Sequence, residues 1–218
     1  TTDKVYFANY DMVQAEMTRI AKGVKYNPEI IGTANVFNNY FGSGLSSIVF
    51  QEIRESKSLA YSARAFYGTA SDKNLNDFMQ VTIGTQANKL PEAVEAISAL
   101  LADMPKIQKQ FDNAKESSLK QIASSRIIKS NIYFTQLNLK KLGIDYDIRK
   151  DTYNSIKNLT LDKTNDFFNK EVKTKKIKNP NINSMLFHNL QFEIKKFMND
   201  LEKLYVANKY YFALKFVF

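Results

Sequence analysis

Few residues of this 218-residue chain could do covalent chemistry: it has no cysteine and a single histidine, His188. A serine nucleophile would need that histidine as its base, and Gly42-Ser43-Gly44 lacks the five-residue elbow that presents such a serine. The same glycines lack the third member of a dinucleotide fingerprint, and no βαβ unit surrounds them. A metal held by His188 and carboxylates finds no Asp/Glu cluster at ligand spacing beside it. Two polar groups stand out instead, Arg54 and Tyr61. Seven residues is close to two helical turns, so they would share a face if one helix carried both. The helix is expected to end near Ser56–Ser58, so the pair brackets a helix-to-strand corner. On residue type alone each also has an ordinary structural role. Arg54 would pair with Glu52 or Glu55 on a solvated helix, and Tyr61 would sit in the sheet core with its hydroxyl at the edge.

The elements that must position this corner can be read in order. Val5–Tyr10 and Val13–Ile20 read as strands, the second closed by Gly23, with Arg19 falling on the side of Val13, Ala15 and Met17. Pro28 introduces a helix over about 29–40, with Ile30, Ile31, Ala34, Phe37 and Phe41 at helical spacing. A turn with Gly42 and Gly44 opens a short amphipathic helix bearing Leu45, Ile48, Val49, Phe50 and Ile53, with Ser43, Ser46 and Ser47 as cap candidates. Tyr61, Ala63, Ala65 and Tyr67 then line one face of a strand. Ser71-Asp72-Lys73-Asn74 is a turn by composition, and Asp77–Thr85 returns as an antiparallel hairpin partner.

From Leu90 the period becomes helical. Leu90, Ala93, Val94, Ile97, Leu101 and Met104 mark one helix, stopped by Pro105, and Phe111, Ala114, Leu119 and Ile122 mark a second over about 107–126. A third, about 131–142, carries Ile132, Phe134, Leu137 and Leu139, with Gly143 to stop it. Tyr153–Ile156 and Thr160–Val172, N-capped by Thr160, complete the helical part. Strands, helices, strands, then many helices predict an α+β fold, an antiparallel β-sheet with helices packed on one face.

The run from Phe41 to Tyr67, with its small residues and glycine, Leu45-Ser46-Ser47, Phe50-Gln51-Glu52-Ile53-Arg54-Glu55 and Leu59-Ala60-Tyr61-Ser62, resembles a block of the insulinase/pitrilysin peptidases. That block lies in the C-terminal, non-zinc half of the family, which includes the mitochondrial processing peptidases. The neighbours fit from Val5 to about Val172. The resemblance implies two halves closing around a peptide, the non-zinc half lending an arginine and a tyrosine near the scissile bond. Arg54 and Tyr61 match those positions. The family's zinc motif is His-x-x-Glu-His, whereas His188 is followed by Gln191 and Phe192, so no catalytic residue and no metal ligand is expected in this chain alone. Zinc is expected in the partner half, carried on the same polypeptide or on a partner subunit. The implied function is the peptide-binding half of a zinc metallopeptidase, inactive by itself. The alternatives are an inert scaffold subunit of the same family and, behind it, a nucleic-acid-binding module. A homo-oligomer is left open.

Length and charge bound these readings. A chain this long buries roughly 70% of its unfolded surface and needs no disulfide or metal staple. No apolar run approaches a membrane span and no signal peptide opens the chain, which leaves cytoplasm and cell envelope both open. Its start at Thr1 rather than methionine suggests a piece of a longer precursor. Residues 1–105 carry 9 Lys/Arg against 11 Asp/Glu and residues 106–218 carry 22 against 11, a swing from −2 to +11. Such a basic half could face nucleic acid, but lysine-rich solvated helix faces are the simpler reading. Residues 1–178 are expected to form the family's domain. Beyond the basic run ending at Asn179-Pro180, residues 179–218 form a tail that departs from the family pattern, with a stripe at Leu186, Leu190, Ile194, Phe197, Leu201 and Leu204. Tyr211–Phe218 either supplies a late sheet strand or is foreign to the fold.

Overall fold

The computed structural model describes residues 4–6, 14–173 and 214–217, the first and last of these as paired backbone only. Strands β1 (Lys4–Tyr6), β2 (Gln14–Lys25), β3 (Ser62–Gly68), β4 (Asn76–Gln86) and β5 (Leu214–Val217) form one sheet in the order β1-β5-β2-β4-β3. The three long strands are antiparallel, as expected: Met17 lies opposite Ile83, and Ile83 opposite Ala63. β5 enters between β1 and β2, parallel to β2 and antiparallel to β1. Of the two readings left open for Tyr211–Phe218, the late sheet strand is present as Leu214–Val217, although in the body of the sheet. His188 and the apolar stripe from Leu186 to Leu204 lie outside the described residues.

β2 does not close at Gly23. Its pairing with β4 resumes at Lys25 after an irregularity, the Asn76 side chain donates to the Gly23 carbonyl at 3.0 Å, and Tyr26 N–H donates to the Leu75 carbonyl at 3.2 Å. These bonds carry the strand past the glycine. Arg19 breaks the alternation as the sequence indicated, being buried on the side of Met17.

Helix α1 (Ile31–Phe37) follows a tight turn, Pro28–Ile30, capped by Asn27, and continues into a wide π-helical turn, Asn38–Gly42. α2 (Leu90–Ala102), α3 (Gln108–Ser124), α4 (Ile132–Lys141), α5 (Arg149–Lys157) and α6 (Leu161–Phe167) follow, the last extended by a second π-helical turn, Phe168–Val172. Thr160 caps α6 through Lys163 N–H, as expected. Met79, Val81 and Ile83 of β4 with Ala63, Ala65 and Tyr67 of β3 turn one sheet face into a core shared with α1, α2 and α3. Aromatic rings join the layers: Phe37 stacks on Phe41 with centroids 5.2 Å apart, and Tyr67 meets Phe167 edge-on at 5.0 Å. Each such buried ring contributes about 1.5–3 kcal/mol relative to exposure.

Two contacts fasten α1 to the outer edge of β3. A Cβ on Gly42 would lie 1.9 Å from the Ala65 carbonyl oxygen, so only glycine permits this approach. Four residues earlier, Asn38 is buried, accepts from Tyr67 N–H at 2.7 Å and donates to the Tyr67 carbonyl at 3.0 Å. The amide thus substitutes for a neighbouring strand and closes the sheet edge at that point.

Candidate functional site

Among the described residues, helices cover one face of the sheet and leave the other open. Because side chains alternate, Ser62, Arg64 and Phe66 of β3, Gln80 and Thr82 of β4 and Glu16, Thr18 and Ile20 of β2 point away from the helices. Register aligns them in rows: Arg64 opposite Thr82 opposite Thr18, and Phe66 opposite Gln80 opposite Ile20.

The corner that carries Arg54 and Tyr61 borders this open face. Ser47 rather than Ser43 or Ser46 caps the incoming helix: its hydroxyl donates to the Gly44 carbonyl at 2.9 Å and accepts from Phe50 N–H at 3.4 Å. Leu45 is therefore left outside the helix and exposed, contrary to the amphipathic reading, because the turn uses it to pass over Gly44 at φ 89°. The helix widens into a π-helical segment, Phe50–Ser56, and ends where Ser58 N–H donates to the Arg54 carbonyl and Leu59 N–H to the Ile53 carbonyl, with Ser58 at φ 49°. Leu59 is buried and its carbonyl accepts from the Thr85 hydroxyl. The corner is thereby pinned on both sides.

Arg54 stands on the last turn of that segment with its side chain 45% exposed, its Nε 3.7 Å from Glu55 Oε1 and its Cζ 4.9 Å from the Phe50 ring centroid. The Glu55 pairing considered from sequence is present. An exposed pair of this kind is worth about 0.2–1 kcal/mol, too little to hold the guanidinium against a better acceptor. Tyr61 is 42% exposed and not in the sheet core. β3 begins one residue later, so Tyr61 falls outside the alternation that buries Ala63, Ala65 and Tyr67; its N–H donates to the Gly84 carbonyl at 3.0 Å. Its ring edge lies 3.8 Å from where a Cβ on Gly84 would stand, beside Ser62, which places it at the open face.

Two hollows occupy the same region. One, about 290 Å³, is lined by Gly42, Ser43, Gly44, Leu45, Phe50, Ala63 and Arg64; the other, about 500 Å³, by Ser43, Arg64, Phe66, Gln80 and Thr82. Neither is lined by Arg54 or Tyr61, which flank them on the chain. Arg64 and Ser43 border both. Arg64 was not singled out from the sequence, although its place between Ala63 and Ala65 in an alternating strand was a sufficient sign that it faces outward.

Behind the sheet the polar groups serve to lock the fold. Buried Asp77 accepts from Ala70 N–H at 2.8 Å and from the Tyr67 hydroxyl at 3.3 Å. Burial first, and then the charges of Asp77 and Glu171, push the Tyr67 phenol well above the usual tyrosine range. Surface charge of the second half is spent partly in local pairs, Lys120 with Glu116 at 2.6 Å and Arg149 with Asp147 at 2.5 Å. Among the described residues no three His, Cys, Asp or Glu side chains are placed to hold a metal ion, and no helix is long and apolar enough to cross a membrane.

Comparison with known proteins gives a consistent outcome. Residues 3–118 match the family model described as the peptidase M16 inactive domain. The chain is 33% identical over 106 residues to the uncharacterized zinc protease YmxG of Bacillus subtilis (strain 168), a match covering 47% of this chain and 25% of that protein. Among solved structures it resembles a peptidase M16 inactive domain from Pseudomonas fluorescens, with TM-score 0.60 and 17% identity over 75% of this chain and 40% of that one. It also resembles a conserved protein from Enterococcus faecalis V583, with TM-score 0.61 and 17% identity over 74% and 38% of the two chains. At these identities the structural likeness speaks for the fold. The chain spans about a quarter of the curated relative and about two fifths of the solved ones.

Proposed function

Because the chain belongs to the family of M16 peptidase inactive domains, we propose that it is the zinc-free half of an insulinase-type metallopeptidase, holding a peptide against a zinc-bearing half. That half would lie on the same polypeptide or on a partner subunit and would carry the His-x-x-Glu-His motif missing here. The metal, when bound there, polarises the scissile carbonyl and activates water. The described residues of this chain offer it no ligand set.

The observation that carries the reading is the pinned corner with two exposed donors on its two sides. Arg54 has only a weak surface pair to give up, and the Tyr61 hydroxyl belongs to a ring at the edge of the open sheet face. A guanidinium and a phenol both donate hydrogen bonds. Directed at a peptide carbonyl, they strengthen as its oxygen gains negative charge, and loss of one such donor costs about 10²–10³ in rate. The corner's backbone bonds hold both side chains at fixed roots, so little ordering remains when the partner half closes.

The test combines the chain with a zinc-bearing partner half and follows cleavage of unstructured peptides. Arg54→Ala and Tyr61→Phe are each expected to lower kcat about 10²–10³-fold with a smaller change in KM. Unchanged turnover in both variants would remove their assigned role. Absence of cleavage by any such pairing would favour an inert scaffold.

A further inference from the structure

We propose that Arg64, with the Ser43 hydroxyl, the Gln80 amide and the Thr82 hydroxyl around it, forms a subsite for a carboxylate carried by the bound peptide. The inference rests on the peptide-holding reading and adds a preference to it.

The wall of the hollows is short of negative charge. None of the described residues lining either of them is an acid, and Arg64 borders both. Of the other described arginines, Arg149 is held by Asp147 through several bonds, Arg19 is buried, Arg54 has its weak surface pair with Glu55, and Arg126 is exposed but lines neither hollow. Arg64 is exposed and makes no ion pair among the described residues. On the open sheet face the nearest described carboxylate by register is Glu16, one row away and two strands over. That separation is roughly 11–12 Å between Cα atoms from standard strand spacings, and no ion pair between Arg64 and Glu16 is among those of the described residues.

The surroundings suit a carboxylate. Arginine's planar fork takes two carboxylate oxygens at once, which a single ammonium cannot match. Gln80 Nε2 donates to Thr82 Oγ1 at 3.4 Å, a long bond that leaves the Thr82 hydroxyl free to donate outward, and Ser43 stands across the same hollow. Phe66, 42% exposed and edge-on to Phe78 with centroids 6.4 Å apart, offers an apolar wall for the methylenes of a Glu or Asp side chain. The site accepts the carboxylate of an acidic side chain or that of a peptide C-terminus; the two share one chemistry, and the test tells them apart.

The experiment titrates fluorescein-labelled unstructured dodecapeptides into the full chain and reads anisotropy. One peptide carries a single Glu and an amidated C-terminus, a second carries Gln there and the amide, and a third carries Gln and a free C-terminus. An acidic side chain in the subsite makes the first bind about tenfold tighter than the second; a captured terminus gives that gain to the third. Arg64→Gln is expected to erase the gain and leave the neutral peptide's affinity unchanged, while Arg64→Lys keeps a fraction of it. Because the chain carries a net charge of +9, Arg126→Gln serves as the control, an equal charge change at an exposed arginine away from both hollows. Equal weakening by Arg64→Gln and Arg126→Gln would assign the effect to the general field and overturn the subsite. Equal affinity for all three peptides would also overturn it, with peptide holding intact. Failure of every peptide to bind the wild-type chain would overturn both readings.

Discussion

Two stretches of this chain carry large apolar side chains at helical spacing and end in opposite circumstances. In α1 and the turn that follows it, Phe37, Tyr40 and Phe41 are each 0% exposed, Phe37 and Phe41 against Phe167 and Phe168 at the end of α6 and Tyr40 against Phe111 of α3. In α4 no residue is buried: Ile132, Tyr133 and Phe134 stand open, Phe134 at 61%, preceded on the chain by exposed Ile128. Amphipathic spacing says which side chains share a face, but a face is stabilised only if another element is supplied to cover it. α1 receives β3, α3, α5 and α6. α4 is tethered at its end, where Lys73 N–H donates to the Lys141 carbonyl at 3.1 Å.

The contrast can be broken or sharpened by matched substitutions. Phe37→Ala is expected to cost about 3–5 kcal/mol, since it empties a ring-sized volume amid Phe41, Phe167 and Phe168. Chemical denaturation would read this directly, and a loss under about 1 kcal/mol would mean that the first region is not the packed centre described here.

An intermediate effect is expected from alkali, which acts on the same region through Tyr67. Its phenol keeps its proton to a higher pH in the folded chain than in the unfolded one. The stabilisation is complete below the ordinary tyrosine pKa of about 10 and is lost as pH rises toward the raised folded value, at no more than about 1.4 kcal/mol per pH unit. Tyr40 and Tyr26 are raised in the same direction. Denaturation midpoints measured upward from pH 8 should therefore fall beyond about pH 10, and less steeply in Tyr67→Phe. A parallel decline in the variant would show that Tyr67 is no more burdened by ionisation than an exposed phenol.

The smallest effect belongs to the second region. Phe134→Ala is expected to change stability by no more than about 0.5 kcal/mol. A loss approaching that of Phe37→Ala would show that α4 is covered in solution, and the contrast between the regions would collapse.

Much of the fold was legible because it is governed by short-range rules. Pro28 before α1, Thr160 capping α6, the Ser71–Asn74 turn and the alternation of Met79, Val81 and Ile83 each express a preference confined to a few neighbouring residues. The helix-to-strand corner between Arg54 and Tyr61 was legible for the same reason, through Ser56–Ser58 and the alternating stretch beyond. The alternative that put Tyr61 in the sheet core does not hold, because β3 begins at Ser62 and its alternation does not extend back to Tyr61. Arg64 went unremarked since a lone outward arginine acquires meaning only from what stands opposite.

By itself, then, the order of residues determined the secondary elements, the buried face of the hairpin and the family to which the block from Phe41 to Tyr67 points. Tertiary structure alone decided that β5 enters between β1 and β2, that Asn38 and Gly42 seal the edge of β3, that α4 stays uncovered and that Ser43 meets Arg64 across a hollow. The physical reason is range. Caps, turns and periodicities depend on dihedral angles and neighbours a few residues away. Which surface covers which depends on contacts between segments far apart in the chain, and no local pattern contains them.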